Sequence, residues 1–169
     1  ASSGKDIYVG GLGDDALDFT QIVGKVSVDL GHHAANLSFG KTVVTDFISG
    51  FEVVFGNDAG HTFIGDKGNT AFVGGNGADT FRGMGGTDTL TGNGGKDTFA
   101  FFKADLSKGA VDTITDFEVG TDKLDLRDFT KGAANVADAV RFEDIGGSTL
   151  VEAHIKANWV DVAVLAGVD

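Results

Sequence analysis

The chain contains no cysteine and no proline. Without thiols it can form neither a disulfide framework nor a zinc–thiolate site. Without proline it is neither collagen nor a proline-rich linker. Positive charge is also scarce: 13 Lys and Arg stand against 25 Asp and Glu, a net charge of −12. Such an excess repels nucleic acid and anionic membranes, and it suits a protein that neutralises itself with bound cations. Glutamate is rare, with 4 Glu against 21 Asp. Helical proteins favour Glu, because Asp competes for its own backbone and prefers turns. No apolar run approaches the roughly 20 residues that span a membrane. Residues 1–13 lack the basic start and apolar core of a signal peptide. No HExxH pair, GxSxG elbow or phosphate loop occurs.

What is present is glycine, aspartate and phenylalanine. The 169 residues include 27 Gly and 14 Phe, and 41% are hydrophobic, which argues against disorder. From Gly56 to Ala100 the sequence divides into five unbroken nonads: GNDAGHTFI, GDKGNTAFV, GGNGADTFR, GMGGTDTLT and GNGGKDTFA. Each begins with Gly, and the eighth position is Phe63, Phe72, Phe81, Leu90 and Phe99. The sixth is His61, Thr70, Asp79, Asp88 and Asp97. Two further nonads open the chain: ASSGKDIYV, with Gly4, Asp6 and Tyr8, and GGLGDDALD, with Gly11, Gly13, Asp15 and Leu17.

Six residues of Gly and Asp make a tight turn, because Gly accepts backbone angles that other residues cannot. Three residues then form a minimal strand with one inward apolar side chain. Nine residues make half a turn of a coil, so loops eighteen residues apart stack on the same edge. Their carbonyls and carboxylates face one another across a small gap. Such a cage of hard oxygens suits Ca²⁺, which takes six to eight oxygen ligands.

The repeat resembles the G-G-x-G-x-D-x-U-x unit, with U a large apolar residue, of the hemolysin-type or RTX calcium-binding family. The resemblance extends past the repeats. Residues 16–55 look like the spacer that such proteins place between repeat blocks. Val111 to Phe129, VDTITDFEVGTDKLDLRDF, resembles the segment that ends the roll in proteins exported by type I secretion. The family implies an all-β, right-handed parallel β-roll, with each ion held between two loops. The first loop gives the carbonyls of positions two and four and the Asp of position six. The loop eighteen residues on gives the carbonyls of positions one and three and its own Asp. Carried onto this sequence, one site joins Gly75, Gly77 and Asp79 to Gly92, Gly94 and Asp97. On the other edge, Asp66, Gly68 and Thr70 face Gly83, Gly85 and Asp88, and Thr70 costs that site a carboxylate. Asn57, Ala59 and His61 facing Gly74, Asn76 and Asp79 make a doubtful pair, because histidine prefers softer metals. Asp88 and Asp97 need partners further on; Asp112, Asp116 and Asp122 are the candidates, with Asp122 preferred by resemblance. The loops of Asp6 and Asp15 find no matching loop eighteen residues on and are expected either to be half-sites or to be completed by residues preceding Ala1.

Residues 19–55 alternate apolar and polar, which predicts short strands continuing the coil without calcium loops. After Phe129, Asn135 with Asp138 three residues on predicts a short helix. Strands are expected at 140–143, 150–155 and 159–165, with a turn at 145–149, as a cap on the open end of the roll. Four stretches of one continuous module result: N-terminal nonads (1–18), a β spacer (19–55), the main roll and end segment (56–126), and a C-terminal cap with the secretion-signal region (127–169).

The four histidines are scattered, and His32-His33 is expected in a solvated turn. Trp159 and Tyr8 are read as packing residues rather than a sugar platform. Asp14-Asp15 and Asp125/Asp128 are the kind of carboxylate pairs that arise freely among 21 Asp. The expectation is a non-enzymatic, secreted, monomeric module of a larger Gram-negative bacterial protein. It would bind several Ca²⁺ ions outside the cell and fold on binding them, and so serve passage through the type I secretion machinery. The alternative is an accessory module that binds polysaccharide or a cell surface, as in adhesins, surface-layer proteins or alginate-type enzymes.

Overall fold

The computed structural model describes residues 5–106 and 109–168; Gly4 of the first nonad lies outside them. Two eight-stranded sheets face each other. The chain opens with β1 (Ile7–Val9) and β2 (Ala16–Asp18). The spacer gives β3 (Lys25–Asp29), β4 (Ala34–Phe39), β5 (Thr42–Ser49) and β6 (Val53–Phe55). The five nonads give β7 (Thr62–Ile64), β8 (Ala71–Val73), β9 (Thr80–Arg82), β10 (Thr89–Thr91) and β11 (Thr98–Ala100). Every one of these strands occupies positions seven to nine of its nonad. Then come β12 (Asp112–Ile114), β13 (Lys123–Asp125) and one helical turn, α1 (Arg127–Thr130). The chain closes with β14 (Val140–Asp144), β15 (Ser148–Ile155) and β16 (Asn158–Ala166).

Successive repeat strands alternate between the sheets, so β8 to β11 each pair in parallel with the strand two before. In one sheet β7, β9 and β11 pair this way, with Phe63 opposite Phe81 and Phe81 opposite Phe99. In the other, Val54, Phe72 and Leu90 align across β6, β8 and β10. This is a parallel β-roll. The eighth-position side chains are its core: Phe63, Phe72, Phe81, Leu90 and Phe99 are all fully buried. Phe63, Phe81 and Phe99 stack with ring centroids 5.3 and 5.1 Å apart. Each ring removes about 150–250 Å² from water, so burial is the main favourable term here.

The spacer departs from expectation. Its strands do not all continue the coil; β3, β4 and β5 form an antiparallel meander within one sheet. Only four residues (30–33) join β3 to β4 and two (40–41) join β4 to β5, and a parallel return would need a dozen or more. The meander is inserted between β1, which pairs with β5, and β7, which pairs with β3. In the opposite sheet β2 passes directly to β6.

The closing block also differs in detail. The expected helix after Asn135 is a single 3₁₀ turn, Val136–Asp138. The strands extend one sheet: β16 pairs in parallel with β12, then β15 and β14 add antiparallel. No helix among the described residues is long and apolar enough to cross a membrane.

Candidate metal centre

The loops between strands form two edges. One carries residues 19–24, 56–61, 74–79, 92–97 and 115–122; the other carries 10–15, 50–52, 65–70, 83–88, 101–106 and 109–111. Along both, one hydrogen-bond pattern repeats. The sixth-position Asp turns inward, and its Oδ1 accepts the backbone N–H of the sixth residue one coil earlier. Asp79 accepts from His61 at 2.6 Å, Asp88 from Thr70 at 2.7 Å, and Asp97 from Asp79 at 2.8 Å. Asp112 continues the series from Asp88 at 2.9 Å and Asp122 from Asp97 at 3.0 Å. Charged acceptors on backbone donors are the stronger class of hydrogen bond, so these carboxylates set the register of the stack.

The structure brings the expected loop pairs together. Gly94 N–H donates to Gly75 O at 3.1 Å, and Gly85 N–H donates to Asp66 O at 2.8 Å. A Cβ on Gly95 would collide with Gly77 O, and one on Gly86 with Gly68 O; both glycines also hold positive φ. These fourth positions require glycine twice over, for the backbone angle and for the approach. The second position holds Met84 at φ 71° and Asn93 at φ 63°. Asn tolerates the left-handed region, whereas Met is strained there.

The second carboxylate oxygens decide what the loops can hold. Asp88 Oδ2 and Asp97 Oδ2 are buried and have no hydrogen-bond partner. A buried polar atom without a partner is costly, the more so when it carries charge. Burial, and then the neighbouring Asp112 charge, push the Asp88 carboxyl up to about 7. Burial pushes Asp97 up to about 6, with Asp79, Asp122 and Asp116 adding repulsion, and burial pushes Asp112 up to about 6. Asp79 is also raised by burial, against hydrogen bonds from His61 and Gly75 that lower it. A Cβ on Gly83 would strike Asp88 Oδ2, and one on Gly92 would strike Asp97 Oδ2. The carboxylates therefore sit directly over first-position glycines. The donor set is hard oxygen throughout, and a divalent cation would supply the missing partner charge. Among the described residues no three His, Asp or Glu side chains converge on one point, so backbone carbonyls would have to complete any coordination shell.

Two participants escaped the sequence. Asp6 and Asp15 were expected to lack partners, yet Asp6 N–H donates to Asp46 Oδ1 at 3.0 Å and Asp15 N–H to Glu52 Oε2 at 2.9 Å. They lie 40 and 37 residues on, because the meander lengthens the path between adjacent coils. Both do what sixth-position Asp residues do. Around Asp15, Gly11 lies against Gly50, whereas a Cβ on Gly13 would meet nothing within 4 Å. Asp116 takes Gly92 N–H at 2.9 Å and Asn93 N–H at 2.7 Å, capping the last loop rather than pairing with Asp88 or Asp97. Asp122 has both oxygens engaged, the second by Glu118 N–H.

The other flagged residues fall elsewhere. His32 is exposed beside Asp29 in the first turn of the meander. The half-buried Trp159 ring contacts the Arg141 guanidinium at 4.5 Å and the His154 ring at 5.1 Å. Asp125 is locked to Arg127 in a two-point ion pair.

A family model described as Peptidase M10 serralysin C terminal matches residues 3–166. No curated protein matches the chain. The family is the non-catalytic RTX part of serralysin-type proteins, and calcium binding and secretion are typical of it.

Proposed function

The chain belongs to the serralysin C-terminal family, and from that premise we propose that it is a calcium-folded module serving export and extracellular folding of a larger protein. The observation that carries this is the pair of orphaned, buried oxygens on Asp88 and Asp97. Each lies over the first-position glycine of its loop, Gly83 or Gly92.

One ion would be held by the Gly75 and Gly77 carbonyls, Asp79, the Gly92 and Gly94 carbonyls, and Asp97. A second would be held by the Asp66 and Gly68 carbonyls, those of Gly83 and Gly85, and Asp88. Asp88 with Asp112, and Asp97 with Asp122, extend the two rows to the end of the roll. Gly11, Gly13 and Asp15 form the weakest candidate, since the loop opposite is short. Calcium would bring positive charge and oxygen coordination to carboxylates that otherwise repel one another. Where calcium is scarce, the acidic repeats lose that compensation and the chain stays open enough to thread a type I channel. Outside a Gram-negative cell, calcium matches the about 10⁻⁴–10⁻³ M affinity of extracellular modules, and binding becomes folding. The four stretches delimited in the sequence would act as one continuous module, with any catalytic domain elsewhere in the parent protein.

Titrating Ca²⁺ into the chelated chain under far-ultraviolet circular dichroism, with Mg²⁺ as control, tests this. The expected result is a steep, calcium-selective gain of β signal. A chelated chain already fully folded and indifferent to calcium would refute the mechanism.

A further inference from the structure

The seam between the spacer and the repeats differs from every other loop pair. Its sixth position is His61, 1% exposed, where the three later nonads carry Asp. The imidazole reproduces the carboxylate's hydrogen bonds. Its Nδ1 accepts Val26 N–H at 3.0 Å, and Val26 stands one coil earlier, since the neighbouring Ser27 pairs with Thr62. Nε2 lies 3.0 Å from both Asn57 N–H and Asn57 O, where Asp79 Oδ2 in the next coil accepts Gly75 N–H; a neutral ring accepts at one nitrogen only, so the proton sits on the other. Asn57 O is a second-position carbonyl, of the kind that in other loops would face the ion.

The rest of the seam is satisfied in the same way. Asn76 N–H, whose counterparts Gly85 and Gly94 donate to second-position carbonyls, here donates to Asp58 Oδ1 at 3.2 Å. Asn57 Nδ2 reaches back to Ile22 O at 2.7 Å and Gly24 O at 3.1 Å, tying the spacer loop down. Asp79 has both oxygens bonded, to His61 N–H and Gly75 N–H, in contrast to the orphaned Asp88 and Asp97. A Cβ on Gly56 would lie 2.8 Å from His61 Cδ2, so the ring fills the space over the first-position glycine that a carboxylate lines elsewhere.

We propose that His61 takes the place of both carboxylate and calcium at this seam, making the junction of spacer and roll an ion-independent closure. The residues here do not fit calcium: one carboxylate is absent, and the other, Asp79, already has both oxygens bonded to backbone N–H groups. The chain then has a built-in boundary. Coils after the seam await calcium, whereas the seam itself is closed by protein groups alone.

This inference rests on the calcium reading above, and one experiment separates their failures. Crystals of the calcium-loaded wild-type chain, measured at a wavelength where calcium scatters anomalously, should show peaks between loops 74–79 and 92–97 and between 65–70 and 83–88. No peak should lie between 56–61 and 74–79. Calorimetric titration of His61→Asp should then count one more calcium per chain than the wild type. A wild-type peak beside Asn57 O, or an unchanged count in a folded His61→Asp, overturns the proposal. Absence of peaks at every loop would instead sink the calcium reading itself. Should His61→Asp fail to fold, the wild-type peak map still decides.

Discussion

The meander from Lys25 to Ser49 and the repeats from Thr62 to Ala100 build the same sheet by opposite means. In the meander, hairpins of four and two residues bring strands together. Closure is local. In the repeats, each strand meets a partner eighteen residues away, so loop closure costs more and each contact returns less. The Gly/Asp loops stack backbone on backbone and place carboxylates inside. The hydrophobic ladder is in place in both, with Val26, Val28, Ala35 and Leu37 in one and the Phe series in the other. What differs is the edge. One is electrically closed, and the other leaves Asp88 and Asp97 oxygens unpartnered. Only the second therefore has a reason to depend on an ion.

That contrast can be broken in graded steps. The largest effect should come from Phe81→Ala, which removes the central ring of the stack. It should cost about 3–5 kcal/mol in calcium, read by urea unfolding, because a narrow coil cannot collapse around the void. Next, Asp88→Asn and Asp97→Asn should each lower calcium affinity at least about tenfold, about 1.4 kcal/mol by calorimetry. The same variants should stabilise the calcium-free chain, since an amide keeps the Oδ1 acceptor and loses the repelled charge. A variant that weakened both forms equally would show the carboxylate to be structural only.

The pH dependence should also divide by calcium. The Asp88, Asp97 and Asp112 carboxyls lie at about 7, 6 and 6 in the folded chain, above the ordinary 3.8. A raised folded value contributes stability at low pH that is lost as pH rises through it. The calcium-free chain should thus unfold more readily at pH 7.5 than at pH 5, by thermal melts in chelator. In calcium the sign should reverse, because protons compete for the same oxygens. The lowered carboxyls, Asp125 and Glu152, are held down by hydrogen bonds from Arg127 and Arg141 and stay ionised across this window.

Smaller effects should mark the meander side. Asp46→Ala leaves Asp6 N–H without its acceptor and should cost about 1–2 kcal/mol, equally with and without calcium. On the repeat side, Met84→Gly relieves a left-handed methionine and should add about 1 kcal/mol to the calcium-loaded form.

Much of this was legible in the sequence, for a physical reason. A nine-residue period with glycine first and a large apolar residue eighth fixes both where each strand lies and which side chain turns inward. The loop pairs at 65–70/83–88 and 74–79/92–97 follow from the same arithmetic. Alternation in the spacer predicted strands but not their direction, because a period of two is common to parallel and antiparallel pairing. Asp46 and Glu52 lie outside the nonad phase, and only the folded meander shows that forty residues of chain return to the next coil. Asp112 and Asp122 could not be assigned to edges by counting eighteen, since residues 101–111 displace the register to 24 and 25. His61 was visible as a poor calcium ligand, but its two hydrogen bonds depend on Val26 and Asn57 converging from different segments.

The repeats should depend on calcium, and the meander should depend on it less. Amide hydrogen exchange of the whole chain, read by mass spectrometry with calcium and with chelator, tests it most directly. Peptides covering residues 62–100 should gain far more protection from calcium than peptides covering 25–49. Equal protection of both stretches in chelator, or an equal gain in both on adding calcium, would contradict the account.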